Sequence, residues 1–119
     1  MAVTVLIVDD DERFRDLARR MLTDWGYRPE SEAGSVTEAL RHVAERRPDV
    51  ALVDIGLPDG TGLELSSILA EAPWQIRVIL TSSDSDATTA AEATAAGAAA
   101  FIPKTELSRA LLRSFLEDE

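Results

Sequence analysis

Short apolar runs alternate along the chain with segments in which apolar residues recur every three or four positions. The predicted strands fall at 3–8, 27–33, 50–53, 76–80 and 98–102, of which 27–33 is only weakly strand-like. The first and third are apolar almost throughout, as expected for strands that helices cover on both faces. The segments between the runs have the spacing of amphipathic helices. The pattern therefore predicts five β-α units and an α/β fold built on a parallel sheet.

The predicted elements have recognisable boundaries. Asp11 and Glu12 favour the start of the first helix because acidic side chains complement its dipole, and Gly26 suits its end. Ser-Val-Thr-Glu at 35–38 has the form of a capping box, which predicts the start of the second helix. Pro29 interrupts the second run and predicts that this strand lies at an edge of the sheet. The residues predicted to face inward from the first helix are Phe14, Leu17, Ala18, Met21, Leu22 and Trp25.

The fourth predicted helix is unusual in composition. It covers residues 87–96, has Asp84 or Asp86 as its cap, and consists of Ala, Thr and one Glu. Such small side chains bury little apolar area, at roughly 0.8 kcal/mol per methylene, so we expect this helix to be weakly anchored. Thr105 is expected to cap the fifth helix. The inward face of that helix is predicted to be Leu107, Ala110, Leu111 and Phe115.

Composition narrows the class of protein. A length of 119 residues suits one domain, spanning 1–119, with a single core. The absence of cysteine excludes disulfides and thiolate metal sites, and a single histidine excludes a multi-histidine site. A formal net charge of -10 argues against direct nucleic-acid binding. No apolar run approaches the roughly 20 residues of a membrane span, and the start lacks a charged signal region, so we expect a cytoplasmic protein.

Charged residues follow three of the five apolar runs. Asp9 and Asp10 end the first run, and Asp54 ends the third. Lys104, the only lysine of the chain, follows the fifth run after Pro103. In an open parallel sheet the site lies beyond the carboxyl ends of the strands, so these charges should converge at one edge. Carboxylates crowded in this way need a cation among them, which predicts a divalent metal site.

These motifs together resemble the receiver domain of two-component response regulators. The matching segments are Val-Asp-Asp at 8–10, Asp-Ile-Gly-Leu-Pro-Asp-Gly-Thr-Gly at 54–62, Thr-Ser at 81–82 and Phe-Ile-Pro-Lys at 101–104. The resemblance covers the whole chain. It implies a single, doubly wound (βα)5 flavodoxin-like domain with a parallel five-stranded sheet in the order 2-1-3-4-5.

The resemblance also implies a phosphoacceptor and a metal site. Asp54 would be the phosphoacceptor. Mg²⁺ or Mn²⁺ would be bound by Asp10 directly, by Asp9 largely through a water molecule, by Asp54 and by the backbone carbonyl of Gly56. Because Mg²⁺ prefers hard oxygen ligands and keeps several waters, two or three protein oxygens suffice.

Four further residues would bind the phosphoryl group or respond to it. The hydroxyl of Thr81 and the ammonium of Lys104 would donate to phosphoryl oxygens, with help from the backbone amides of Ser82 and Gly56. Phe101 would be the aromatic residue whose rotamer reports phosphorylation, although a plain core role is the alternative. The fourth helix, fifth strand and fifth helix would form the face that changes and controls an output.

A receiver implies particular partners. The phosphoryl group would come from a sensor histidine kinase or a phosphotransfer protein, and homodimers would form through the face that changes. The protein would not be an enzyme beyond its own phosphorylation and autodephosphorylation. An output domain, such as one that regulates transcription, is not present in this chain.

Two other functions fit parts of the pattern. The first is a receiver-like interaction module that works without phosphorylation. The second is a phosphatase of the haloacid-dehalogenase type, but that chemistry needs an acid two residues after Asp54, where Gly56 stands. One local feature also departs from many receivers, because proline precedes Lys104 and does not follow it. A cis bond to Thr105 would cost about 2.5 to 4 kcal/mol, so we expect a trans bond.

Overall fold

A five-stranded parallel sheet forms the centre of the computed structural model, which describes residues 2–116. Its neighbouring strands all run parallel, in the order β2-β1-β3-β4-β5. This confirms the predicted order 2-1-3-4-5 and the edge position of β2. The strands are β1 (Thr4–Val8), β2 (Arg28–Ala33), β3 (Val50–Asp54), β4 (Arg77–Ser82) and β5 (Ala100–Pro103).

Helices cover both faces of the sheet. They are α1 (Glu12–Asp24), α2 (Val36–Glu45), α3 (Gly62–Ala70), α4 (Ala90–Ala95) and α5 (Arg109–Leu116). A 3-10 turn at Lys104–Glu106 precedes α5, and a small hairpin pairs 56–57 with 60–61 in the loop after β3. The doubly wound (βα)5 architecture is therefore confirmed.

The core consists of two layers, one on each side of the sheet. Along β1, Leu6 and Val8 point into the layer beneath α2, α3 and α4, whereas Val5 and Ile7 point into the layer beneath α1 and α5. This alternation is what a strand imposes, since successive side chains face opposite sides. Both sides of β1 are therefore buried, which explains why its sequence is an uninterrupted apolar run.

The ends of α1 agree with the sequence, but its inward face is narrower. Asp11 is the N-cap and accepts a hydrogen bond from the Arg13 backbone N–H at 3.0 Å. Gly26 follows the helix with a φ of 93°. Leu17, predicted to face inward, is 47% exposed because the buried stripe follows a strict four-residue spacing. The buried residues of α1 are Phe14, Ala18 and Leu22.

The start of α2 is capped from two sides. Ser35 accepts a hydrogen bond from the Glu38 N–H at 3.1 Å, as the predicted capping box requires. The Glu38 carboxylate, however, accepts from the Gly34 N–H and not from Ser35. The second cap is Asp59, which comes from the loop after β3 and accepts from the first backbone N–H groups of α2.

Helix α4 is shorter than predicted. It begins at Ala90 and not at 87, because Thr89 and Glu92 form a complete capping box. The predicted cap, Asp84 or Asp86, is wrong, because Thr89 is the N-cap. The Asp84 carboxylate instead accepts from the Asp86 N–H at 2.9 Å in a turn before the helix. The sequence Thr-Ala-Ala-Glu at 89–92 carried this signal.

Helix α5 begins later than predicted, and a different residue caps it. Ser108 accepts a hydrogen bond from the Leu111 N–H at 3.1 Å, so the predicted cap at Thr105 is wrong. Thr105 lies in the 3-10 turn, which delays the start of the helix. The delay also changes the inward face, because Leu112 and Leu116 are buried whereas Ala110 is exposed.

Candidate functional site

The carboxyl ends of four strands bring the charged residues together. Asp9 follows β1, Asp54 ends β3, Thr81 lies near the end of β4 and Lys104 follows β5. Asp54 and Thr81 are register partners across β3 and β4. The edge lies where strand order reverses between β1 and β3, the position at which open α/β sheets hold their sites.

Three carboxylates form a cluster at this edge. Asp9, Asp10 and Asp54 each offer a carboxylate oxygen, and these oxygens lie within 4.8 Å of one another. Asp9 is fully buried at 0% exposure and Asp54 is 7% exposed, whereas Asp10 is exposed to solvent. Like charges held this closely repel each other, and a hard divalent cation with oxygen ligands relieves that repulsion. The donor set therefore fits Mg²⁺.

Lys104 provides the positive charge of the site. Its Nζ lies 2.7 Å from Asp9 Oδ2 and 3.7 Å from Asp54 Oδ1. The lysine side chain is 16% exposed, so the pair with Asp9 is largely shielded from water. Nζ also lies 4.3 Å from the centroid of the Phe14 ring. Among the described peptide bonds, the cis bond is Ala72–Pro73, and the Lys104–Thr105 bond is trans as predicted.

The ionisation of Asp54 reflects this crowding. Burial is the largest influence and, with the nearby charge of Asp9, raises the pKa of Asp54 from 3.8 to about 6. The ammonium of Lys104 opposes this rise in pKa, Asp10 adds to it and the Ile55 backbone N–H opposes it again. A cation bound at the cluster would favour the ionised carboxylate, which is the form that can act as a nucleophile.

The hydroxyl of Thr81 is a buried polar group at the site. Its Oγ1 is buried and has no hydrogen-bond partner among residues 2–116. A buried hydroxyl without a partner costs about 1 to 3 kcal/mol, so such groups in folded proteins call for an explanation. An anionic ligand on Asp54, the register partner of Thr81, would supply the missing acceptor. The neighbouring Ser82 differs, because its hydroxyl accepts from the Asp84 N–H at 3.0 Å.

The loop after β3 lies close to the Asp54 backbone. The Gly62 N–H donates to the Ile55 carbonyl at 2.8 Å. A Cβ at Gly62 would collide with the carbonyl oxygen of Asp54, so only glycine allows this approach. Gly56, whose carbonyl is the predicted metal ligand, is exposed, and a Cβ there would lie 3.9 Å from Asp54 Oδ2. Gly56 therefore borders the same carboxylate as the predicted metal site.

Phe101 lies farther from the cluster. It is partly buried and packs against the core layer beneath α2, α3 and α4. Its register partner on β4 is Leu80, which immediately precedes Thr81. Phe101 therefore lies beside the residue that precedes Thr81, and its side chain is partly buried.

Sequence reasoning missed two residues that support the site. Phe14, assigned only to the core, lies under the Lys104 ammonium. Arg15 donates from Nη1 to the Asp9 carbonyl at 2.6 Å and from Nε to Glu32 at 3.2 Å, so it fixes the backbone of the acidic pair. The sequence did contain a signal for both residues. Because α1 starts just after Asp9 and Asp10, its first turns must lie beside the site.

Asp59, interpreted from the sequence as part of a turn, joins the loop after β3 to the start of α2. Its carboxylate accepts from the Val36 N–H at 2.8 Å and from the Thr37 N–H at 3.0 Å. The hydrogen bond from the Thr37 N–H, followed by that from the Val36 N–H, holds the pKa of Asp59 below its ordinary value. Because 22 residues separate the partners, no local pattern could have predicted the contact.

The fold and the site together define a receiver-type domain, an open parallel α/β sheet with an acidic cluster, a lysine and a hydroxyl at its carboxyl edge. The family described as the response regulator receiver domain matches residues 5–116, and the chain belongs to this family. It is therefore a signalling domain of two-component systems, as the resemblance implied.

Relatives of established description support this assignment. The chain is 43% identical over 119 residues to the DNA-binding transcriptional activator DevR/DosR of Mycobacterium tuberculosis, covering 92% of this chain and 52% of the relative. It is 44% identical over 104 residues to protein-glutamate methylesterase/protein-glutamine glutaminase 3 of Hahella chejuensis, covering 86% of this chain and 30% of the relative. The chain thus spans about half, or less, of the length of these relatives.

Solved structures show the same fold. The signal receiver domain of the putative response regulator NarL from Mycobacterium tuberculosis matches with a TM-score of 0.82 and 27% identity over 98% of each chain. A CheY-like response regulator receiver domain protein from Methanospirillum hungatei matches with a TM-score of 0.81 and 30% identity, over 96% of this chain and 90% of the other. Within residues 2–116, no helix has the length and apolar character to cross a membrane.

Proposed function

We propose that Asp54 accepts a phosphoryl group from a sensor histidine kinase or a phosphotransfer protein in a Mg²⁺-dependent reaction. The observation that carries the proposal is the surroundings of Asp54, where a lysine ammonium and two further carboxylates converge. Its register partner Thr81 has a buried hydroxyl without a hydrogen-bond partner among the described residues. A carboxylate can attack an anionic phosphoryl group only where their mutual repulsion is relieved. Such relief is what a cation and a lysine beside Asp54 would provide.

The reaction is a transfer from nitrogen to oxygen. A carboxylate oxygen of Asp54 forms a bond to phosphorus while the phosphorus–nitrogen bond of the phosphohistidine breaks, and the imidazole nitrogen keeps the electron pair. Bound Mg²⁺ would neutralise charge on the phosphoryl oxygens. Asp9, Asp10, Asp54 and the Gly56 carbonyl would hold that ion, and Mn²⁺ suits the same hard oxygen ligands.

We propose that the transferred group is held by donors from the ends of β4 and β5. The Lys104 ammonium and the Thr81 hydroxyl would donate to phosphoryl oxygens, together with the backbone amide of Ser82. Thr81 would gain a hydrogen-bond acceptor that the described residues do not supply. Its movement toward the phosphoryl group would let Phe101 turn inward, a two-state packing change of the α4-β5-α5 face.

The proposed switch would act through other molecules or segments that contact the receiver. We propose that residues 1–119 form one receiver domain, that its changed face pairs with a second copy, and that a separate output part regulates transcription. A relative that is a DNA-binding transcriptional activator supports the last point. We further propose a cytoplasmic location, and no enzymatic activity beyond the domain's own phosphorylation and autodephosphorylation.

Phosphorylation by a small donor tests the proposal without a cognate kinase. The protein is incubated with phosphoramidate and MgCl₂ and examined by intact mass spectrometry. We expect the wild type to gain one phosphoryl group, and expect Asp54→Asn or an excess of chelator to prevent the gain. Size-exclusion chromatography of the phosphorylated protein then reports on pairing.

The same experiment distinguishes the alternatives. Absence of both a mass gain and Mg²⁺ binding in the wild type would favour an interaction module that works without phosphorylation. A mass gain that persists in Asp54→Asn would place the phosphoacceptor elsewhere.

A further inference from the structure

Phe14 occupies the end of α1 that lies against the site. The buried stripe of this helix consists of Phe14, Ala18 and Leu22, spaced four residues apart. Ala18 and Leu22 pack within the core layer between α1 and the sheet, as does Phe14 itself. Phe14 differs from the other two because a charged group lies over its ring.

That charged group is the only lysine of the chain. Lys104 Nζ lies 4.3 Å from the Phe14 ring centroid, well inside the roughly 6 Å range of cation–π attraction. The same atom lies 2.7 Å from Asp9 Oδ2 and 3.7 Å from Asp54 Oδ1. The ammonium is therefore surrounded by two carboxylate oxygens and one aromatic face.

We propose that Phe14 is a positioning residue for phosphorylation, which holds the Lys104 ammonium between Asp9 and Asp54. This inference rests on the proposed function, in which Lys104 receives the phosphoryl group. A lysine is a point charge on a flexible four-carbon stem, so its ion pairs alone do not fix its place. The negatively polarised face of the ring supplies a third, fixed attraction from the protein core.

The placement matters because the two carboxylates compete for the lysine. The ammonium lies closer to Asp9 than to Asp54, yet the transferred group arrives on Asp54. A lysine held over the ring stays within reach of both oxygens and needs only a small movement to meet the phosphoryl group. An aliphatic residue at position 14 would fill the core equally well but would not attract the ammonium.

Two substitutions separate packing from attraction. Phe14→Leu keeps an apolar side chain and removes the ring, and Phe14→Tyr keeps the ring. We expect Phe14→Leu to lower the maximal rate of phosphorylation by phosphoramidate about three- to tenfold, with Mg²⁺ affinity measured by calorimetry unchanged. Phe14→Tyr should retain most of the rate. Phe14→Met provides a second ring-free variant should the leucine variant fold poorly by circular dichroism.

A double-mutant cycle shows whether the effect passes through the lysine. In a Lys104→Met background, Phe14→Leu should cause no further loss of rate, because there is no ammonium left to position. An equal loss in both backgrounds would assign Phe14 to packing alone and overturn the proposal. A wild-type rate in Phe14→Leu would overturn it as well.

The single lysine also gives a readout that does not depend on phosphorylation. Protons above an aromatic ring are shielded, so the one lysine Cε–Hε signal in a ¹³C-resolved NMR spectrum should lie upfield in the wild type and move downfield in Phe14→Leu. An unshifted wild-type signal would overturn the proposal. A shifted signal in a protein that gains no phosphate would instead overturn the proposed function, and with it the role of Phe14 in that reaction.

Discussion

The carboxylate of Asp54 is buried beside another buried carboxylate, so its ionisation opposes folding in the metal-free protein. Burial and the charge of Asp9 raise the pKa of Asp54 from 3.8 to about 6. Because the folded state binds this proton more tightly than the unfolded state does, the free energy of unfolding should fall as the pH rises from about 4 to about 6. We expect Asp54→Asn to abolish about 2 to 3 kcal/mol of this fall.

Urea unfolding in the presence of a chelator, repeated between pH 4 and pH 8, measures this difference. Asp24→Asn is the matched control, since Asp24 is an exposed acidic residue at the far end of α1. If the free energy of unfolding depends on pH in the same way in the wild type and in Asp54→Asn, ionisation of Asp54 does not destabilise the folded state.

Asp10 tests whether the acidic cluster binds a cation. It is the exposed member of the cluster, so its replacement disturbs the core little. In the wild type, MgCl₂ at a hundredfold excess over its dissociation constant should raise the free energy of unfolding by about 2.7 kcal/mol. We expect Asp10→Asn to lose most of this gain in urea unfolding. A full gain in Asp10→Asn would remove Asp10 from the ligand set, and Asp24→Asn should behave as the wild type.

Thr81 and Thr88 are both buried, but among the described residues only Thr88 has a hydrogen-bonded hydroxyl. Thr81 Oγ1 has no partner among the described residues, whereas Thr88 Oγ1 donates to Glu92 at 3.0 Å. Thr81→Val should therefore leave the free energy of unfolding unchanged or slightly raised, while Thr88→Val lowers it by about 1 kcal/mol. Thermal and urea unfolding of the unphosphorylated variants measure both. A loss of stability in Thr81→Val equal to that in Thr88→Val would mean that the Thr81 hydroxyl already has a partner.

At the scale of elements, α4 is held by a hydrogen bond from a residue of another helix. The buried Ser66 of α3 donates from Oγ to the Ala96 carbonyl at 2.9 Å, at the end of α4. Gly97 follows with a φ of +82°, and a Cβ there would lie 2.7 Å from Ala70 Cβ. The expected weak anchoring of α4 thus concerns its side chains, whereas its carboxyl end is fixed to α3 through the backbone.

Two adjacent serines allow this anchor to be tested. Ser66→Ala should lower the free energy of unfolding by about 1 to 2 kcal/mol and speed hydrogen exchange around residues 96–98, because the Ala96 carbonyl loses its best donor. Ser67→Ala is the matched control, since its hydroxyl lies 3.5 Å from the same oxygen. Equal effects of the two substitutions would show that the shorter bond does not fix α4.

Elements were predictable where the signal was local. The uninterrupted apolar run of β1 predicted a strand buried on both faces, and Asp11 predicted the start of α1. The start of α4 also has a local signal in Thr89 and Glu92, although acidic residues earlier in the loop offer competing caps. The start of α5 was not predictable, because the 3-10 turn at Lys104–Glu106 has no sequence pattern of its own.

At the scale of the whole molecule, topology explains why the charged residues of the site could be predicted. Strand-end residues of a parallel sheet must share one edge, so Asp9, Asp54 and Lys104 had to meet once five β-α units were recognised. The contacts of Phe14 and Asp59 depend on how side chains from different elements approach each other. Such approaches follow from packing, which periodicity does not determine.

The net charge of the molecule supplies the last prediction. The full sequence has a formal net charge of -10, and the folded body measures 32 × 31 × 30 Å over the residues that the structure describes. Repulsion in such a sphere is on the order of 10 kcal/mol without salt and falls about threefold at 0.15 M. The expanded unfolded chain repels itself less, and each surface ion pair that salt weakens is worth at most about 1 kcal/mol. Net repulsion therefore dominates, and added NaCl should raise the free energy of unfolding by about 1 to 2 kcal/mol.

Comparison of salts at equal ionic strength separates this general screening from a specific metal site. NaCl should stabilise the wild type and Asp10→Asn alike, because screening depends on the whole charge distribution. MgCl₂ should add a further gain that is large in the wild type and mostly lost in Asp10→Asn, since that gain requires the acidic cluster at the carboxyl edge. If MgCl₂ and NaCl stabilise the wild type equally at the same ionic strength in urea unfolding, the cluster binds no Mg²⁺ under those conditions and screening alone accounts for the effect.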